Sequence, residues 1–354
     1  MHKYKGVFAK SNFSTASFFW RNLMKIGIFN TVRGGSQRFE SACTTYKNEL
    51  ELMDFGFPAT DENAGLVKGC EAIIYTPWKP VSEKFWKTLS ENGVQYVLTC
   101  TTGYDHFNLP LIKKYGMKAA YVPTYSPNAI SEHTVMVILG ILRNFKEQIH
   151  KVDGNDFRIP SKLGKEIRKQ KIGIVGAGRI GLTTMKCLSG FGPLEILAYD
   201  LYEKEEVKQY ARYVTLEELY KACDVIVFHC NLTEENYHLI NDETIAKLKD
   251  GVCLVNVARG ALFDTKAILR GVQSGKIGGL ALDVIEEEMM LKGNQVFPQN
   301  PVDDLKALME YENVIFTSHT AFYTETAYED MSRTTIENAY EYKTTGNCKY
   351  ELVK

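Results

Sequence analysis

Arg259 stands at the end of a stretch that otherwise reads as core. In "VCLVNVARGALFD", residues 252–264, Val252, Leu254, Val255 and Val257 form an apolar strand interrupted only by Asn256, and a guanidinium follows at once. An arginine near a core is costly unless something pairs with it, so Arg259 points to an anion. Two more apolar runs end on polar chemistry. "GGLALDV" (278–284) is followed by Glu286, Glu287 and Glu288, and "NVIFTSH" (313–319) ends on His319. In a parallel sheet all three strand ends lie on one rim, where ligands bind. The set suits delivery of a proton to a carbonyl beside a carboxylate. The planar fork of arginine grips the carboxylate and polarises the carbonyl. A histidine with a pKa near neutrality supplies the proton, and an adjacent glutamate keeps it charged. Singly, each residue also has a structural reading: an ion pair for Arg259, a solvated loop for the acids, a cap for His319.

"GIVGAGRIG" supplies the second half of a redox reaction. Its glycines, Gly176, Gly178 and Gly181, match G-x-G-x-x-G between an apolar strand and a helix. The first permits a tight turn, the second lets backbone approach a pyrophosphate, and the third lets the helix pack on the sheet. Arg179 and Ile180 open that helix. Asp200, closing "EILAYD", stands where an acid holds the adenosine ribose and repels a 2′-phosphate, so NAD is expected rather than NADP. His229, ending "DVIVFHC", reads as pocket wall near the adenine. Val257 and Ala258, at the strand end before Arg259, complete the expected cofactor contacts. A bound nicotinamide beside Arg259, the glutamates and His319 would make hydride transfer to a 2-keto acid the natural chemistry.

Two series of elements position these residues. From Met24, the strands "KIGIFN", "EAIIYTP", "VQYVLTC" and "MKAAYVP" alternate with helices, one of them "SEKFWKTLSENG" with a serine cap and a stop at Gly93. A long helix is expected over 126–151, opened by Ser126 and Pro127. Six more strands follow: "KIGIVG", "EILAYD", "DVIVFHC", "VCLVNVA", "GGLALDV" and "NVIFTSH". Such alternation means parallel sheets covered on both faces. The expected fold is α/β with two doubly wound parallel-sheet domains: a flavodoxin-like catalytic domain over 24–122 plus 325–354, and a Rossmann NAD-binding domain over 123–324. The active site lies in the cleft between them.

Composition narrows the function classes. Of 354 residues, 45% are hydrophobic and 24% charged, with 42 Lys and Arg against 43 Asp and Glu, so no global field draws the chain to nucleic acid or a membrane. No apolar run approaches the ~20 residues of a membrane helix. Eight scattered cysteines lack metal spacing and read as buried thiols in a reducing compartment. No metal is expected. Residues 1–23 carry bases and no acid, and fit a transit peptide, an early start or a disordered tail. The enzyme is expected in the cytoplasm, or in an organelle if that leader is a transit peptide. His133, inside "ISEHTVMV", reads as a structural group, and His106 and His238 as loop residues.

With "VPTYSPNAISEH", "GIVGAGRIG", "LVNVARGALFDT", "GGLALDVIEEE" and "TSHTAFYTETA" in hand, the chain resembles the D-isomer-specific 2-hydroxyacid dehydrogenases, from Met24 to the end. The resemblance implies roles by position. Arg259 corresponds to the substrate-binding arginine, Glu288 to the partner of the histidine, and His319 to the acid/base. Asp283 lies by the nicotinamide carboxamide. Tyr125 contacts substrate, as do backbone amides around Thr102 and Gly103. Tyr75 faces the substrate side chain, where its bulk limits pocket size, and Phe322 lines the same pocket. The resemblance also implies a homodimer, D stereochemistry and a branch that reduces pyruvate to D-lactate. Bulkier acids such as 2-ketoisocaproate or phenylpyruvate are the enzyme alternative, and a non-catalytic NADH-sensing scaffold is the alternative of another class. "HCN" at 229–231 departs from the His-Val-Pro usual there, and the loop after Glu288 is longer than usual.

Overall fold

The computed structural model describes residues 23–29, 37–75, 80–160, 162–286 and 303–353. Its first sheet is built from β1 (Met24–Ile28), β2 (Leu50–Asp54), β3 (Ala72–Ile74), β4 (Tyr96–Leu98) and β5 (Lys118–Ala120). The helices interleaved with it are α1 (Gln37–Cys43), α2 (Glu83–Glu91) and α3 (Leu109–Lys114). Two helices lead onward, α4 (Pro127–Leu142) and α5 (Phe145–Asp153). The second sheet then winds β6 (Lys171–Val175), α6 (Arg179–Ser189), β7 (Glu195–Tyr199), α7 (Glu205–Lys208), β8 (Arg212–Tyr213), α8 (Leu216–Ala222) and β9 (Val225–Phe228). It continues through α9 (Asp242–Lys247), β10 (Val252–Asn256), α10 (Thr265–Gln273), β11 (Ile277–Leu282), α11 (Asp303–Met309) and β12 (Val314–Phe316), and the chain closes on α12 (Glu325–Thr345).

Both sheets are parallel, in the orders β2-β1-β3-β4-β5 and β12-β11-β10-β9-β6-β7-β8. The two-domain α/β expectation holds. Each sheet is buried on both faces by a separate apolar cluster, as parallel strands require. α12 returns to pack on α1 and β4, so the last helix covers the first sheet. α4, apolar nearly all round, packs on α6 and on β10, β11 and β12.

Three local expectations need correction. The long helix over 126–151 is two helices, broken where Asn144 adopts a left-handed φ of 51°. Asparagine tolerates that conformation, and the loop that follows satisfies the freed groups: Lys165 N–H donates to the Leu142 carbonyl and Asn144 Nδ2 to that of Lys162. Ser126 precedes that helix without a side-chain capping bond, whereas Ser82 caps α2 by accepting from Lys84 N–H. Strands β2 and β8 were not expected. "LELMD" carries Glu51 and Asp54 within five residues, and "RY" is a two-residue edge strand, so neither has the apolar run that marks its neighbours.

Candidate active site

Strands β10, β11 and β12 are sheet neighbours, and their carboxyl ends deliver Arg259, Asp283 and His319 to one rim. Asn256 explains why a polar residue ends the apolar β10. It is fully buried, its Oδ1 accepts from Ala258 N–H, and its Nδ2 donates to the Arg259 carbonyl. The side chain thus shapes the turn that aims Arg259 outward. The Arg259 guanidinium donates through Nη1 to the Ala258 carbonyl at 2.8 Å. Among the described residues the carboxylate nearest to it is Asp105, at 3.8 Å and 85% exposed, which makes a weak ion pair. The structural reading of Arg259 as an ion pair thus finds only this weak, exposed partner among the described residues.

The first domain meets this arginine through the loop after β4. Gly103 passes so close that a Cβ there would lie 2.9 Å from Arg259 Nη2. Thr101 Oγ1 donates to the Gly103 carbonyl at 2.7 Å and sits 2.7 Å from the buried Thr99 hydroxyl, which fixes the loop, while Thr102 is exposed. Tyr125 lies between the domains and packs on the clusters of both sheets, as does Phe322. Burial pushes the Tyr125 phenol up to about 12; the Arg259 charge opposes that rise and Asp283 adds to it. Phe322 stands edge-on to both the His319 ring, at 6.2 Å, and the Tyr125 ring, at 6.4 Å. Gly103 is thus brought to Arg259, and Tyr125 and Phe322 to His319.

His319 itself has a left-handed φ of 52°, and its N–H donates to the Asp283 carbonyl. The Asp283 carboxylate, nearly inaccessible to solvent, turns toward the same turn. It accepts from Thr317 Oγ1 at 2.6 Å, Thr320 N–H at 2.8 Å and Ala321 N–H at 3.0 Å.

The glycine turn lies where β6 has β7 on one side and β9 on the other, the switch point at which a doubly wound sheet opens a crevice. Gly176 has φ 96°, and a Cβ on it would meet Cys230 N at 2.5 Å. On Gly181 it would meet the Gly176 carbonyl oxygen at 2.1 Å; on Gly178 it would meet nothing within 4 Å. The cradle is thus tight where backbone meets backbone and open where a pyrophosphate needs to enter. Asp200 Oδ2 accepts from Ala177 N–H at 2.7 Å, which ties the ribose-side acid to the phosphate turn. These residues fit a dinucleotide. His229 is joined to α6: its Nε2 lies 3.0 Å from Thr184 Oγ1, whose proton goes to Ser131 Oγ, which donates to the Ile180 carbonyl. Burial lowers its pKa to about 3, so it is a neutral wall. Arg179 reaches back to the Pro123 carbonyl at 3.0 Å, and Val257 and Ala258 are buried at the strand end.

One expected site residue is placed elsewhere. Tyr75, just past β3, is fully buried, stacked near Phe107 and packed against Phe85 and Trp86 in the first domain's core. Its ring points into the sheet-covering cluster and not into the cleft. Glu286 is engaged away from His319: its Oε1 lies 2.6 Å from His238 Nε2, and its Oε2 accepts from Thr265 N–H and Oγ1. Glu287 and Glu288 lie outside the described residues. Sequence reasoning missed the parts played by His133, Thr317 and Asn256. The signal for Asn256 was present, since a polar side chain inside a buried strand must find partners.

Comparison with known proteins gives the family. A family profile described as "D-isomer specific 2-hydroxyacid dehydrogenase, NAD binding domain" matches residues 135–321. An aromatic 2-oxoacid reductase of Clostridium sporogenes (strain ATCC 15579) is 38% identical over 89% of this chain and 95% of its own. The crystal structure of a D-lactate dehydrogenase from Treponema pallidum superposes with a TM-score of 0.83 at 32% identity, covering 94% of this chain and all of that one. An NAD-complexed D-isomer specific 2-hydroxyacid dehydrogenase from Lactobacillus delbrueckii ssp. bulgaricus gives 0.78 at 28% identity, covering 93% of this chain and 100% of that one. The chain belongs to the D-isomer specific 2-hydroxyacid dehydrogenase family and is an oxidoreductase whose cofactor is NAD.

Proposed function

We propose that this enzyme reduces pyruvate to D-lactate, with Arg259 as the substrate anchor and His319 as the proton donor. The observation that carries the reading is the arrival of both residues on one rim, at the ends of the two strands that flank β11, in the same sheet as a cradle that fits the dinucleotide. NAD, bound in its reduced form, supplies the hydride. Gly176, Gly178 and Asp200 hold the cofactor, flanked by Arg179, Ile180, His229, Val257 and Ala258. Arg259 and the backbone at Thr102 and Gly103 bind the carboxylate, and Tyr125 and Phe322 wall the pocket. His319 donates a proton to the keto oxygen as it gains charge. Glu288 is the partner we assign to His319. Closure of the cleft would exclude water from this step. The D-lactate dehydrogenase of Treponema pallidum supports pyruvate as the substrate.

Reduction of an aromatic 2-keto acid is the second reading. It is favoured by the reductase of Clostridium sporogenes and by the withdrawal of Tyr75 from the cleft, which removes the bulk that argued for a small pocket. Oxidation of NADH with pyruvate and with phenylpyruvate in parallel separates the two. A higher kcat/KM for pyruvate supports the first, and the reverse order replaces it. We also propose a homodimer. α5 buries none of its residues, and it exposes Phe145, Ile149 and Val152 beside the exposed Phe157, Ile159 and Leu163. An apolar patch of that kind favours a partner.

A further inference from the structure

The turn that carries His319 is held by a buried chain of side chains that begins on another element. His319 and its neighbours leave β12 with a left-handed residue bearing a Cβ, a conformation that persists only when its surroundings impose it. What imposes it is Asp283, whose two oxygens take Thr317 Oγ1 and the amides of Thr320 and Ala321. Thr317 Oγ1 in turn lies 3.1 Å from Nε2 of His133, which sits on α4. The hydroxyl has one proton. The short 2.6 Å contact gives it to the carboxylate, so Oγ1 accepts from His133, and Nε2 of that ring must carry a hydrogen. His133 Nε2 is also 3.8 Å from Asp283 Oδ1, and its side chain is 11% exposed. Burial disfavours its charged form, although Asp283 opposes this.

We infer that His133 and Thr317 are positioning residues for His319: the ordered donation His133 Nε2–H to Thr317, and Thr317 to Asp283, fixes the carboxylate that holds the His319 turn. His133 was read from the sequence as a structural group in a helix, and Thr317 was not singled out. Together they couple α4, which packs across the second sheet, to the proton donor at its rim. The inference rests on the proposed role of His319.

Thr317→Val removes the hydroxyl and keeps the branched shape. Expected is a fall in kcat of about tenfold or more with KM for NADH nearly unchanged, since a small misplacement of the donor slows proton transfer without emptying the cofactor site. Thr317→Ser restores most of the turnover. His133→Gln, which keeps an amide donor, retains turnover, whereas His133→Leu loses it. Histidine-selective ¹⁵N NMR gives a readout independent of activity. In the wild type His133 is the neutral Nε2–H tautomer with a slowly exchanging proton, and in Thr317→Val that proton exchanges fast. A Thr317→Val enzyme with wild-type kcat, or a wild-type His133 found as the Nδ1–H tautomer, overturns the inference. His319→Gln run in parallel tells the two failures apart: if it also keeps full turnover, the role of His319 has failed and not merely its support. If the protein turns over neither acid, the NMR signature still decides the hydrogen-bond chain.

Discussion

At the residue scale the chemistry depends on charges left for a ligand and on groups held neutral by burial. Arg259 has only a weak ion pair with the exposed Asp105 among the described carboxylates, so its fork remains for an anion. Arg259→Lys keeps the charge and loses the two parallel donors. Steady-state kinetics should show kcat/KM for the keto acid falling about ten- to a hundredfold, as a charged hydrogen-bond pair is worth roughly 1.5–3 kcal/mol; an unchanged kcat/KM would remove Arg259 from the site. The buried histidines make a different prediction. His229, with a pKa lowered from 6.5 to about 3, and His133, lowered in the same direction, bind fewer protons folded than unfolded. Their contribution to stability is therefore complete above the unfolded value near 6.5 and is lost as pH falls toward 3. The unfolding midpoint should drop across that window, and His229→Gln should flatten the drop. An equal slope in the variant would mean that the acid loss comes from other groups.

At the scale of elements, the strand ends carry the site and the glycine turn carries the cofactor. Gly181→Ala drives a Cβ into the Gly176 carbonyl, 2.1 Å away on backbone that cannot yield cheaply. The helix head must shift, at a cost of roughly 1–3 kcal/mol in stability, and NADH binding followed by fluorescence should weaken severely; unchanged binding would show that the turn is not the phosphate cradle. The strands around these turns were legible because parallel strands buried on both faces are continuous apolar runs, as in "VCLVN" and "GLAL". The strand "LELMD" was not legible, because an edge strand with exposed acids at Glu51 and Asp54 lacks that pattern. The break at Asn144 was hidden for a related reason: apolar spacing continues through it, and only loop contacts end the helix. Arg259 and His319 could be read because a strand end leaves little choice of direction. Tyr75 was misplaced because a residue just past a strand takes its neighbours from tertiary packing that no local pattern reveals.

At the scale of the whole molecule, two sheets with separate cores meet where Tyr125 and Phe322 pack on both, and the Gly103 loop of one reaches the arginine of the other. Outside that junction, the exposed apolar face of α5 and the segment after it predicts self-association. Ile159→Asp combined with Leu163→Asp should convert a dimer to a monomer in light scattering, and a wild type that is already monomeric would end the dimer proposal. No described helix is long and apolar enough to cross a membrane. The proposed reduction depends on His319 as the proton donor. The measurement that tests it most directly is the rate of NADH oxidation by His319→Gln against wild type at neutral pH, with pyruvate and phenylpyruvate. Removal of the proton donor should lower kcat by about a hundred- to ten-thousandfold while NADH still binds. A variant that turns over either acid at the wild-type rate would contradict the assignment of His319.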